Sequence, residues 1–340
     1  MDAIAQANKI AEFSGFSTTL ANRRTPWELG MSWSEAGEAL PVDQLATTKD
    51  MLEAAGLAGW NVTKQQVYLA NGIAVPGRYA NVTEDGRIVG PSVGETYRVF
   101  QNEDVFDFGD KMVDSGEAKW ERGGGFKQGA ITFGCMELTH LGITVPGDDG
   151  EIKPYLLLVN TFDGSYPTQG VLAFVRPRCI NTFQMAVGTQ TAHRFSIRHV
   201  GSLEGKIQMA REAIGIAFKH AQESSVILER MGTTKLLDEQ VKELFAKVVW
   251  PISEDATDGA VERHASTLAF ESYMTSETLD GIRGTAWGAF NAVTEFIDHE
   301  TKYAGRGVSD TNDVKGTSLI WGAGEARKEA ALKSLVKLAR

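Results

Sequence analysis

Two hydrophobic periods divide this chain, and their order limits what it can fold into. Between Trp60 and Arg176 apolar residues recur at alternate positions or in short continuous runs broken by glycine and Asp-Gly turns. From Leu203 onward they recur with the 3.6-residue period of a helix. Strands first and helices later is the pattern of an α+β fold. The segments NVTKQQVYLANG and RYANVTEDGRIVG read as strands, with Asp85-Gly86 as a hairpin turn. Ile131, Phe133 and Cys135 alternate as in a half-buried strand, and Tyr155 to Val159 is a continuous apolar run that suits a central strand. Asp149-Gly150 and Asp163-Gly164 fall where further turns belong. The expectation is an antiparallel meander of three to four strands with flanking helices and a helical C-terminal half.

Helices are predicted over 43–57, 102–116, 203–225, 240–250, 261–274, 283–303 and 324–340. In the longest, Leu203, Ile207, Ala210, Ile214, Ala217, Phe218 and Ala221 form one stripe. Residues 1–40 look irregular, and Gly90-Pro91-Ser92 marks a weak boundary. The organisation read from this is an N-terminal α+β region over 1–92 and a core over 93–340. That core holds the sheet at about 117–200 and helices over 203–340.

At 340 residues, 42% hydrophobic and 23% charged, the chain can bury a sizeable core. No apolar run approaches the roughly 18 residues of a spanning helix, and the N-terminus lacks a signal peptide's basic and apolar regions. Cys135 and Cys179 are too few for a disulfide framework or a cysteine zinc site. A reduced, cytoplasmic protein without a membrane is the expectation. Net charge −10 opposes wholesale coating of nucleic acid but leaves room for a local groove.

One strip is unlike the rest. From Gly164 to Leu203 there is no Asp or Glu, where the average acidic content would place about five. Arg176, Arg178, Arg194 and Arg198 lie in it beside His193, His199 and several Asn, Gln and Thr residues. Arginines and neutral donors on a strand are what phosphate recognition requires. The ordinary alternative is a buried strand whose arginines pair with acids elsewhere. The stretch KWERGGGFKQG places Lys119, Arg122 and Lys127 around Trp120 and Phe126, as stacking on exposed bases would need. It too has an alternative, a wide hairpin whose aromatics are core.

Asn291, Glu295 and His299 share a helix face with Asp298 beside them, a conceivable metal or enzyme site, but no completing cluster is evident. Cys179 near His193 is better read as a small buried thiol than as a nucleophile. Arg327, Lys328, Lys333, Lys337 and Arg340 on the last helix favour its macrodipole or offer a second phosphate contact. No catalytic residue, metal ligand or cofactor motif is assigned; an enzyme is the less favoured reading.

PWELG (26–30), YRVFQNEDVFDF (97–108), the Gly-rich hairpin, YLLLVNTFDGS (155–165), VRPRCINTF (175–183) and GTAWGAFNAVTEFIDH (284–299) together resemble the phage/plasmid-like protein family, or DUF932 domain family. That resemblance implies a mobile-element protein in a bacterial host cytoplasm and hands over no catalytic residue. Asn102, Glu103 and Phe106, the meander with Asp-Gly-Ser-Tyr at 163–166 and the long helix after it look more distantly like Rad52-type single-strand annealing proteins. Those form oligomeric rings and hold single-stranded DNA in a basic groove. The combined expectation is a single-stranded-DNA-binding protein that anneals in recombination or replication, as a homo-oligomer. Arg176, Arg178, Arg194, Arg198, Lys119, Arg122 and Lys127 would meet phosphate, and Trp120 or Phe126 would stack on bases. The alternatives are an enzyme with an unrecognised, metal-dependent site and a structural or host-interaction protein that binds another protein.

Overall fold

The computed structural model of the 340-residue chain describes residues 47–176, 181–185, 194–196, 203–301 and 311–339. Among them it has two antiparallel sheets, of three and six strands, and a helical C-terminal half. This is the α+β class that the two hydrophobic periods imply. The chain divides into two compact units, each assembled from three stretches. One holds Met1–His140, Tyr155–Leu172 and Arg194–Ile216, the other Leu141–Pro154, Ala173–His193 and Ala217–Arg340.

The first unit's described part starts with helix α1, Thr48–Ala54. Thr47 and Asp50 cap it reciprocally: the Thr47 hydroxyl accepts from the Asp50 N–H at 3.2 Å, and the Asp50 carboxylate accepts from the Thr47 N–H at 3.0 Å. The Thr47 hydroxyl, donating to the Asp50 carboxylate at 2.7 Å, and then the Thr47 N–H hold that carboxyl below its usual range. The cap starts the helix later than the predicted 43–57, and Gly56 at φ 65 ends it. Strands β1 (Thr63–Tyr68), β2 (Ala74–Val82) and β3 (Ile88–Gly94) form the small sheet in that order. Asp85-Gly86 turns β2 into β3, with Gly86 at φ 85. Gly90-Pro91-Ser92, read above as a boundary, lies inside β3. A side chain at Gly90 would overlap the Phe162 carbonyl, which accepts from the Asn81 amide at 2.6 Å.

The predicted 102–116 helix is two short ones, α2 (Asn102–Phe106) and α3 (Gly109–Asp114), ended by Gly116 at φ 76. The large sheet follows: β4 (Ala118–Phe126), β5 (Ile131–Leu138), β6 (Lys153–Thr161), β7 (Gln169–Arg176) and β8 (Asn181–Phe183), in that order. Strand β9 (Arg194–Ser196) also pairs with β7. The meander and the central place of β6 are as the pattern predicts. Strand β5 departs from it, being buried along nearly its whole length rather than on one face. Trp120 and Met51 pack over Gly134 on one side, and Phe133 stacks on Phe126 at 5.1 Å on the other. Buried polar side chains pair within this core: Asn102 Oδ1 accepts from the Thr132 hydroxyl at 2.8 Å and from the Asn160 amide at 3.2 Å.

Helix α4, Leu203–Thr233, runs 31 residues, past the predicted end at Ser225, because Ser224 is buried and continues the stripe. Phe218, placed on that stripe by its spacing, is 53% exposed. In the second unit the rest of α4 is followed by α5 (Asp238–Leu244), whose π-helical extension Phe245–Val249 stops before Pro251. Helix α6 (Asp258–Glu262) and α7 (Ala265–Thr275) replace one predicted helix, since His264 caps α7 through the Ser266 N–H at 3.3 Å. Helix α8 (Ala286–Glu295) extends into the π turn Phe296–Glu300. Helix α9 (Thr311–Trp321) has no counterpart among the predicted helices, and α10 (Ala323–Leu338) matches its prediction.

Candidate functional site

Of the nine residues expected to meet DNA, several are occupied within the protein. Arg176, at the end of β7, is fully buried. Its Nε donates to Asp148 Oδ2 at 2.7 Å and its outer nitrogen to Asp148 Oδ1 at 2.6 Å and the Thr278 carbonyl at 2.8 Å. The Trp287 indole donates to the same carboxylate at 2.7 Å. A guanidinium so enclosed cannot reach phosphate, so Arg176 is reassigned to the core. Trp120 and Phe126 are 3% and 2% exposed and present no ring face to a base. Lys127 pairs with Asp163 at 3.6 Å and lies over the Tyr166 ring at 5.6 Å. Arg122 lies in β4, with its side chain outside the described residues, as are Arg178, Arg198 and Cys179 entirely.

Lys119 belongs to a different constellation. The β4–β5 register shifts between Trp120 and Arg122, a bulge that leaves Glu121 as the extra residue. Lys119 Nζ lies 3.1 Å from Glu121 and 3.0 Å from Glu137, which faces it across the ladder. Burial pushes Glu121 up to about 7 against the attraction of Lys119, with Glu137 adding to the rise. Burial opposes the charge on Lys119, but its hydrogen bonds to the two carboxyls outweigh that and raise it. Tyr155, opposite Glu137 on β6, is raised by burial and then by the two glutamates.

The Glu121 shift sets a pH dependence. A carboxyl whose folded value lies above its unfolded one favours the fold below the unfolded value and loses that contribution as pH rises through the folded value. Between roughly pH 4.5 and 7 the protein should therefore lose stability relative to Glu121→Gln. The variant is expected to gain on the order of 2 kcal/mol over the parent from pH 5 to pH 8. Paired urea titrations at each pH read the difference, and parallel curves would count against a buried, proton-holding Glu121.

The strip's remaining described arginine lies on β9, which among the described residues pairs with β7 alone. Arg194 opens β9, pairs in register with Val171 and is half-buried. Its neighbour Phe195 pairs with Gly170, and its ring tip lies where a Gly170 side chain would be. Only glycine at 170 leaves that ring its place. Phe195 is itself half-buried, and Arg194, one residue earlier on the strand, points to the opposite face. The sequence reading missed Phe195, though RFSIR carries the same interleaving of cations and aromatics as residues 119–127.

The Glu295/Asp298/His299 face is also used internally. Glu295 accepts from the Ser276 hydroxyl at 2.9 Å and from the Thr278 hydroxyl, and Asn291 donates to the Trp287 carbonyl at 2.9 Å. Asp298 is fully buried and pairs with the equally buried Lys328, so Lys328 does not face phosphate. Lys333 pairs with Glu329 at 2.7 Å. Among the described residues no three His, Cys, Asp or Glu side chains converge as a metal site requires.

The family model of the domain of unknown function DUF932 matches residues 91–332, most of the chain. The chain belongs to the DUF932 family. The DUF932 match runs from Pro91 in β3 to Leu332 in α10, so it takes in the whole large sheet and the buried pairs Arg176–Asp148 and Lys328–Asp298. No curated protein and no solved structure matches this DUF932 chain. None of its described helices is long and apolar enough to cross a membrane.

Proposed function

We propose that this DUF932 protein binds single-stranded DNA along the outer edge of its large sheet and anneals it in phage- or plasmid-type recombination or replication. The observation that carries the reading is strand β9, where the half-buried Phe195 ring lies over Gly170 on one face and Arg194, paired with Val171, projects from the other. The acid-free strip supports it with a refinement. Over Gly170 to Arg176 the lack of acids has an ordinary cause, because β7 is buried throughout. From 177 to 203 the lack persists, and Arg178, Arg194 and Arg198 are there. Phosphate contact falls to those three and to Arg122, and base stacking moves from Trp120 and Phe126 to Phe195.

Phosphate and ring contacts have separable signatures. Affinity for a labelled oligonucleotide should fall steeply with salt, and Arg194→Ala should flatten the log–log slope by about 0.7 for each phosphate that the arginine neutralises. Phe195→Ala should leave the slope alone and cost about 1–3 kcal/mol at every salt concentration. Fluorescence anisotropy across a salt series reads both. Binding indifferent to salt, or unchanged in both variants, would remove the proposal.

A further inference from the structure

The β1–β2 hairpin turns on Asn71-Gly72, the one asparagine in this chain that precedes a glycine. Residues 69–74 are all exposed. The Leu69 N–H donates to the Ile73 carbonyl at 2.8 Å and the Gly72 N–H to the Leu69 carbonyl at 2.9 Å, with Gly72 at φ 81. The Asn71 side chain folds forward over this turn, and its Oδ1 accepts from the Ile73 N–H at 3.2 Å. A bond that reaches two residues along sets the side-chain carbonyl beside the intervening Gly72 peptide. The same N–H draws electron density onto Oδ1, so Asn71 Cγ is polarised for attack by a nucleophile.

We infer that Asn71 is a self-modification site of the folded protein, converting to aspartate or isoaspartate through attack by its own backbone. The Gly72 nitrogen loses its proton to hydroxide and bonds to Asn71 Cγ, and the charge that develops on Oδ1 meets the Ile73 N–H. The Cγ–Nδ2 bond then breaks, and Nδ2 takes a proton from water and leaves as ammonia. A five-membered imide remains. Water opens that ring at either carbonyl, so one water is consumed and one ammonia released overall. Opening at Cγ restores the backbone with an aspartate. Opening at the main-chain carbonyl leaves isoaspartate, whose backbone runs through Cβ and Cγ. Glycine selects the site, because it has no Cβ to obstruct ring closure. Asn81, Asn102, Asn160 and Asn291 precede residues with a Cβ and are at most 1% exposed. The bond from Gly72 to Leu69 opposes the reaction and must open first, which costs little in an exposed turn. Both products alter the hairpin. Aspartate puts a charge into 65–77, which carries none, and isoaspartate lengthens the chain between Leu69 and Ile73.

Peptide mapping by mass spectrometry tests this on the full chain without DNA, held folded at mildly acidic and at mildly alkaline pH beside a urea-unfolded sample. The folded chain should convert at residue 71, faster in the alkaline buffer. The product should be two peptides of equal mass, each with an acid in place of the amide, that separate by chromatography. Asn71→Gln should stay unchanged over the same time, since its ring would need a further atom. An Asn71 that stays intact in the folded chain overturns the inference, whether or not the unfolded chain converts. Conversion as fast at another asparagine, or in Asn71→Gln, also overturns it, because neither the glycine nor the turn would then select the site. No oligonucleotide is present, so no result bears on DNA binding by β9.

Discussion

Replacing Arg176 with Met is expected to cost the fold about 3–5 kcal/mol, read as a lower urea midpoint, whatever happens to nucleic-acid binding. Arg176 and Asp148 are 0% and 1% exposed, so neither charge has water to fall back on. The guanidinium grips the carboxylate through two nitrogens and adds a bond to the Thr278 carbonyl. Methionine fills much of the volume but leaves Asp148 a buried carboxylate facing the Trp287 indole without its counter-charge. Arg176→Lys is expected to recover only part of the loss. An ammonium keeps the charge but cannot form the two-pronged contact and the carbonyl bond together. A wild-type midpoint in Arg176→Met with weakened oligonucleotide binding would return this residue to the phosphate groove.

That arginine shows where sequence reading ran out. The switch of hydrophobic period was legible because it is a local property, and so was the Asp85-Gly86 turn, where a left-handed backbone at Gly86 calls for glycine. Whether Arg176 points into water or into the core is not local. It depends on Asp148, 28 residues earlier, and on Thr278, 102 residues later. Acid-poor sequence is common to a polyanion groove and a buried strand, and β7 is the second. Trp120 and Phe126 failed as exposed rings for a similar reason. The glycines around them give room to their own neighbours: Gly123 and Gly134 sit against Met51 and Trp120.

The bulge at Glu121 left no trace in the pattern, since one extra residue changes no composition and only shifts register. The break between α2 and α3 was equally silent. Helix α9 was missed because TNDVKGTSLIW has too few apolar residues at helical spacing to stand out alone. By contrast, Phe195 could have been found: an aromatic between two arginines in the acid-free strip was in plain view.

The helix face that suggested a metal gives the second large effect. Lys328→Met should destabilise the protein by about 3–5 kcal/mol without changing the metal content of the purified chain. Lys328 and Asp298 are 1% and 0% exposed, and the ammonium lies against the carboxylate that a metal would have to claim. Removing Lys328 strands a buried negative charge in the π turn that ends α8. Replacing both partners, as Lys328→Met/Asp298→Leu, removes the charge along with its counter-charge, and such exchanges are often neutral or stabilising. The double variant should therefore unfold at a higher urea concentration than Lys328→Met alone, although it carries more substitutions. If Asp298 instead served a metal with His299, the order would reverse. The double variant would be the less stable, and elemental analysis would find an ion in the wild type that the loss of Asp298 removes. Equal damage from the single and the double would mean that the lysine's aliphatic stem, and not its charge, holds α10 in place.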